Sequence, residues 1–91
     1  MAMTAVWLKI DEKHVAHALQ DAGGKLGSAG DEVVLDFSSV RRIDQSVLRV
    51  MEEFVGIADG KGVKVVLCGV RVSVYKVLKL VKLGPRFIFS D

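Results

Sequence analysis

The sequence predicts an α/β fold: a single small domain, β-α-β-α-β-α-β, with a mostly parallel four-stranded sheet flanked by helices. Three observations predict it. Apolar, β-branched runs at residues 5–10, 32–37 and 63–70 alternate with segments whose apolar residues recur at helical spacing. Glycines mark the joints at 23–30, 60–62 and 84. The chain has 91 residues, enough for one domain spanning 1–91 and too few for two. Strands alternating with helices imply parallel neighbours joined by right-handed crossovers.

Residues 5–10 (AVWLKI) read as the first strand. Val15, Leu19, Ala22 and Leu26 then recur at helical spacing and predict a helix over 12–22, capped by Asp11 and ended by the glycine-rich 23–30 stretch. Residues 32–37 (EVVLDF) are almost continuously apolar, the pattern of a strand covered on both faces. Asp44 is placed to cap the next segment. There Val47, Leu48, Val50, Met51, Phe54, Val55, Ile57 and Ala58 share one half of a helical wheel, and Gln45, Arg49, Glu52, Glu53 and Gly56 the other. This predicts an amphipathic helix over 45–58. A turn at 60–62 leads to a third strand over 63–70. A third helix over 72–83 faces Val74, Val77, Leu78 and Val81 inward and Lys76, Lys79 and Lys82 outward. Gly84 suits a left-handed helix end, Pro85 blocks continuation, and 87–89 form a short last strand.

Composition narrows the function. Hydrophobic residues make up 51% and charged residues 26%, so the chain folds. The single Cys68 excludes an internal disulfide and a cysteine-based zinc cage, and a reducing, cytoplasmic setting is expected. No apolar run approaches the ~20 residues a membrane span needs, and no secretory leader is expected. Net charge is +2, unevenly spread: residues 71–91 carry five Lys/Arg against one Asp, and residues 1–70 carry eight against ten Asp/Glu. With few aromatics among the basic residues, nucleic acid is not an expected partner.

Catalytic and cofactor signatures fail on inspection. The 23–28 stretch, GGKLGS, lacks the Lys-Ser/Thr of a phosphate loop and follows a helix instead of opening one after a strand. His14 and His17 stand one turn apart without an assured third metal ligand, so solvated histidines are expected. Cys68 sits within an apolar strand and reads as a core residue. No nucleophile elbow is present. Asp36 and Asp44 are expected to cap and to bond loop amides. Lys76, Lys79 and Lys82, with Arg71 and Arg86 at the ends, read as a solvated face; as a function they would offer a docking surface to an acidic protein or an anionic head group. The expectation is a protein with no catalytic residues, no cofactor and no metal.

The most unusual segment is 33–51, VVLDFSSVRRIDQSVLRVM. A strand ends at Asp36, a short loop follows, and Ile43-Asp44 opens a helix whose first turn holds Gln45 and Ser46. Together with Leu8-Lys9-Ile10-Asp11, Gly60, Gly62, KVVLCGV and VYKVLKLVKLG, this order and spacing resembles the STAS domain, the fold of anti-sigma factor antagonists. The resemblance covers nearly the whole chain. It implies a non-enzymatic signalling module whose partner is an anti-sigma factor of the kinase-like ATPase type. It places the partner-binding loop and helix start at Ser38, Asp44, Gln45, Ser46, Arg49 and Glu52.

The chain departs from the family pattern at two positions. The residue after the aspartate, the family's phosphoacceptor, is Gln45, which has no hydroxyl; Ser46 is the hydroxyl left for phosphorylation. The family's following glycine is Val47, which either packs inward or crowds a docking partner. The resemblance thus implies binding without the standard phospho-switch. It also implies an alternative role, as a STAS-type cytoplasmic subunit of an ABC lipid transporter or an anion transporter, with a transporter ATPase as partner. The family often has an extra N-terminal strand and a C-terminal helix, so a bare sheet edge and pairing into a homodimer are further expectations.

Overall fold

Four short strands lie side by side in the order of the chain, all parallel. The computed structural model describes residues 5–25 and 32–90. β1 (Ala5–Lys9) passes through a 3₁₀ turn (Glu12–His14) into α1 (Val15–Lys25). β2 (Glu32–Asp36) precedes α2 (Gln45–Lys61), and β3 (Lys64–Cys68) precedes α3 (Val72–Leu80). A second 3₁₀ turn (Gly84–Arg86) leads into β4 (Ile88–Ser90). Parallel neighbours in chain order, joined by right-handed crossovers, put the three helices on one face of the sheet.

Register sorts the strand residues into two faces, because side chains alternate along a strand. Leu8, Leu35, Leu67 and Phe89 align in one row toward the helices; Trp7, Val34, Val66 and Ile88 align in the next, on the other face. The core joins Val33, Leu35, Val65 and Leu67 of the sheet to Val15, Leu19 and Ala22 of α1, Met51, Phe54, Val55 and Ala58 of α2, and Val74 and Leu78 of α3. Tyr75 of α3 meets Phe89 of β4 edge-to-face at 5.1 Å between ring centres, fixing α3 over the β4 edge. Arg86 holds Asp59 of α2 at 2.6 Å.

The fold class stands as expected, with every strand pair parallel. Several details differ. α1 does not stop at residue 22: it runs through Gly23, which lies beside Phe54 of α2, and Gly24 to Lys25. The remaining 26–30 of that glycine-rich stretch lie outside the described residues. β2 is not covered on both faces; Val33 and Leu35 are buried while Glu32, Val34 and Asp36 are only half-buried. Ile57 and Val81, expected inside, are exposed, because each lies at the margin of its helix's apolar arc. α3 ends at Leu80, three residues early.

The left-handed residue that ends α3 is Lys82 (φ 64°), not Gly84. The Lys82 amide donates to the Lys79 carbonyl (3.2 Å) and the Leu83 amide to the Leu78 carbonyl (2.9 Å), closing the helix. Gly84 instead opens the 3₁₀ turn, with Pro85 in its first positions. α2 closes in the same way, there with Gly62 at φ 69° and the Val63 amide on the Ala58 carbonyl (2.9 Å).

Candidate functional site

The carboxyl ends of parallel strands gather on one side of such a sheet, the usual place for binding. Here they bring together the residues after β1 (10–14), after β2 (37–44) and after β3 (69–73). Backbone bonds lock the three segments. The Ile10 amide donates to the Asp36 carbonyl (3.0 Å) and the Phe37 amide to the Cys68 carbonyl (2.9 Å). The Ser73 hydroxyl donates to the Arg41 carbonyl (2.9 Å), and the Arg41 amide reaches Glu12 at 3.4 Å.

Asp44 organises the start of α2. Its Oδ1 accepts from the Val47 amide (2.9 Å) and from the Ser46 hydroxyl (2.8 Å). The Val47 amide, and secondarily the Ser46 hydroxyl, hold the Asp44 carboxyl below the usual 3.8. Asp36 is lowered too, by the Ser38 hydroxyl and by the Ser38 amide at 2.9 Å. Asp11 caps the first 3₁₀ turn through the Lys13 amide (3.0 Å), which lowers it with help from His14. Burial, and after it the charge of Asp36, pushes the Cys68 thiol up, as suits an unreactive thiol.

A carboxyl depressed in the folded state stabilises above its unfolded value, and that stability is lost as pH falls through the folded value. Stability is therefore expected to drop on acidification below about pH 4. Asp44→Asn keeps a capping oxygen but removes the titration. Urea denaturation at a series of pH values should show a shallower acid slope in Asp44→Asn than in wild type; identical slopes would remove Asp44 from that account.

Gln45, Arg49 and Glu52 are all exposed and lie on one stripe of α2, at successive turns. Ser46 is exposed beside them, its hydroxyl turned to Asp44. Val47 is buried in the core, which settles the choice between packing inward and crowding a partner. Ser38 is exposed in the turn after β2. It lies against Gly69, where an added Cβ would fall 2.9 Å from Ser38 Cβ and 3.2 Å from its backbone nitrogen.

The structure also joins residues that sequence reasoning kept separate. A groove of ≈ 440 Å³ between the start of α1 and the start of α2 is lined by His14, His17 and Arg42 as well as Asp44 and Ser46. No periodicity links residues some thirty positions apart, so the sequence held no signal for it. Both histidines are exposed, as expected, and His14 lies 3.5 Å from Asp11. Among the described residues no group of three His, Cys, Asp or Glu could hold a metal ion. No helix there is long and apolar enough to cross a membrane.

A four-stranded parallel sheet with three helices and a capped helix start at the strand ends define a small α/β domain. The chain belongs to the STAS domain family, whose family model matches residues 8–91. No curated protein sequence matches it closely enough to count as a relative. Among solved structures it is similar to the anti-sigma factor antagonist SpoIIAA in its unphosphorylated form (14% identity, TM-score 0.72), covering all of this chain and 84% of that one. It is also similar to the STAS domain of a SulP transporter from Vibrio cholerae (18%, TM-score 0.80, 99% and 76% covered). A third is a sulfate transporter family protein from Wolinella succinogenes (19%, TM-score 0.78, 98% and 80% covered). At these identities the likeness is one of fold.

Proposed function

We propose that this chain is a non-enzymatic protein-interaction module that acts as anti-sigma factor antagonists do, binding its partner without a phospho-switch at the family's acceptor position. The observation that carries this reading is the start of α2. Asp44 caps it, and the exposed residue next in line is Gln45, an amide where the family has a hydroxyl. An amide presents the neutral polar tip of the unphosphorylated state and cannot receive phosphate. Ser46 has a hydroxyl, but it is bonded to the Asp44 carboxylate. Phosphate there would set about −1.5 to −2 charge against that carboxylate. The proposed contact surface is Asp44, Gln45, Ser46, Arg49 and Glu52, with Ser38 at its border. The proposed partner is a kinase-like ATPase of the anti-sigma type, in the cytoplasm.

Gln45→Glu puts negative charge where the family's phosphate sits. An acidic residue in the first turn suits the helix dipole, so stability should hold or rise slightly. Partner affinity should fall about tenfold or more, from like-charge contact across the interface. Affinity capture with both forms, followed by titration of the captured protein, tests this. Recovery of a kinase-like ATPase by wild type and its loss by the variant is the expected result. Equal affinities would remove the α2 start from the interface, and stoichiometric phosphate on Ser46 from cells would overturn constitutive binding. Capture of a transporter ATPase or permease instead would favour the second reading, a transporter subunit, for which the basic third helix is the supporting observation.

A further inference from the structure

The charge of this chain is segregated more sharply than its net value shows. Residues 60–90 carry seven Lys/Arg and no Asp or Glu. Of the exposed large apolar side chains among the described residues, Val72 (69% exposed), Tyr75, Leu80 (81%) and Val81 lie on α3 or directly after it. The wheel of α3 puts Val74 and Leu78 inward and sets Val72, Lys76, Lys79 and Leu80 along the outward side. Leu80 shares one surface depression with Lys76, Lys79 and Lys82. The Asp59 carboxylate is held by Arg86 at 2.6 Å.

Lys82 adds an independent observation. It is the one non-glycine residue at positive φ among the described residues, at 64°. Glycine is the residue that such a helix end favours. The Lys82 side chain is exposed there, in the same surface depression as Lys79 and Leu80.

We infer that the outward side of α3 is a docking surface for an anionic lipid bilayer. Val72 and Leu80 stand about 12 Å apart along the helix, with the lysines between and beside them. The apolar tips enter the head-group boundary while the lysine stems lie along it and keep their ammonium groups at the lipid phosphates. An acidic protein would satisfy the lysines but would want its apolar contacts grouped at the centre of a patch, not spread along its length. This surface shares no residue with the contact surface proposed at the start of α2, so variants at each can fail independently.

Sedimentation of the protein with phosphatidylcholine vesicles, with and without phosphatidylglycerol, tests the inference. Wild type should bind only the anionic vesicles. Binding should weaken as salt rises from about 0.1 to about 1 M, which shortens the Debye length from about 10 to about 3 Å. Lys76→Gln with Lys79→Gln should weaken binding about 25-fold, at about fivefold per lysine, and Leu80→Ser should weaken it further. All three positions are exposed, so melting temperatures should hold. Lys82→Gly should separate the two readouts, raising the melting temperature by relieving the left-handed backbone while lowering vesicle affinity about fivefold. Absence of wild-type binding to anionic vesicles, or equal binding by the double lysine variant, overturns the inference. So does binding to polyglutamate with none to vesicles, which assigns the lysines to an acidic protein.

Discussion

Gly69→Ala is expected to destabilise the domain by about 2–5 kcal/mol. Gly69 follows β3 directly and has φ 66°. An L-residue held in that region costs about 1–2 kcal/mol. The new methyl would also sit 2.9–3.2 Å from Ser38 Cβ, Cα and N, and overpacking of this kind costs about 1–3 kcal/mol. Ser38 cannot retreat freely, because its amide is bonded to Asp36 and the next residue inward, Phe37, is buried and bonded to Cys68. A domain of this size has about 5–14 kcal/mol in all, so the loss is a large fraction. Chemical denaturation measures it. An unchanged midpoint would mean that the Ser38 turn is free to move away from β3.

Val47→Gly, which restores the small residue of the family pattern, is expected to cost about 2–4 kcal/mol. Val47 is buried against the core from the first turn of α2. Exposing or deleting such a side chain loses about 1.5–3 kcal/mol, and glycine within a helix adds about 0.5–1 kcal/mol. The Asp44 cap does not depend on the side chain, since it uses the Val47 amide, so the helix start should persist. Val47→Ala should lose only the packing part, which makes the difference between the two variants a measure of the backbone part. Equal stability of wild type and Val47→Gly would show that Val47 is not committed to the core. The expected loss follows from where the added bulk goes: Val47 points inward, away from the exposed stripe of Gln45, Arg49 and Glu52.

α2 was the most legible element. Its apolar residues repeat over about three turns, from Val47 to Ala58, and both ends carry local signals, Asp44 before it and Gly62 after it. Asp44 caps the start as expected; the end lies three residues beyond the expected 58, at Lys61, with Gly62 closing it. The resemblance carried by 33–51 likewise rests on contiguous residues, and the family model confirms it. Helix ends that depend on a neighbour were harder. α1 continues through two glycines, the first of them beside Phe54 of α2, a neighbour that nothing within 12–25 encodes. α3 closes on Lys82 although glycine stands two residues later. What decides its end is the buried pair Leu78 and Leu83, joined through the Leu83 amide.

Local pattern therefore set the order of strands and helices, the caps at Asp11 and Asp44, the buried thiol of Cys68 and the solvated lysines of α3. Each follows from residues within a turn or two of one another, where spacing and side-chain chemistry act directly. Packing decided the rest: that Val47 turns inward, that Ser38 lies against Gly69, that His14 and His17 share a groove with Asp44, and that Leu80 and Val81 stay outside among the lysines. These depend on which elements become neighbours across the sheet, and residues that meet only through tertiary contact leave no periodic trace in the chain.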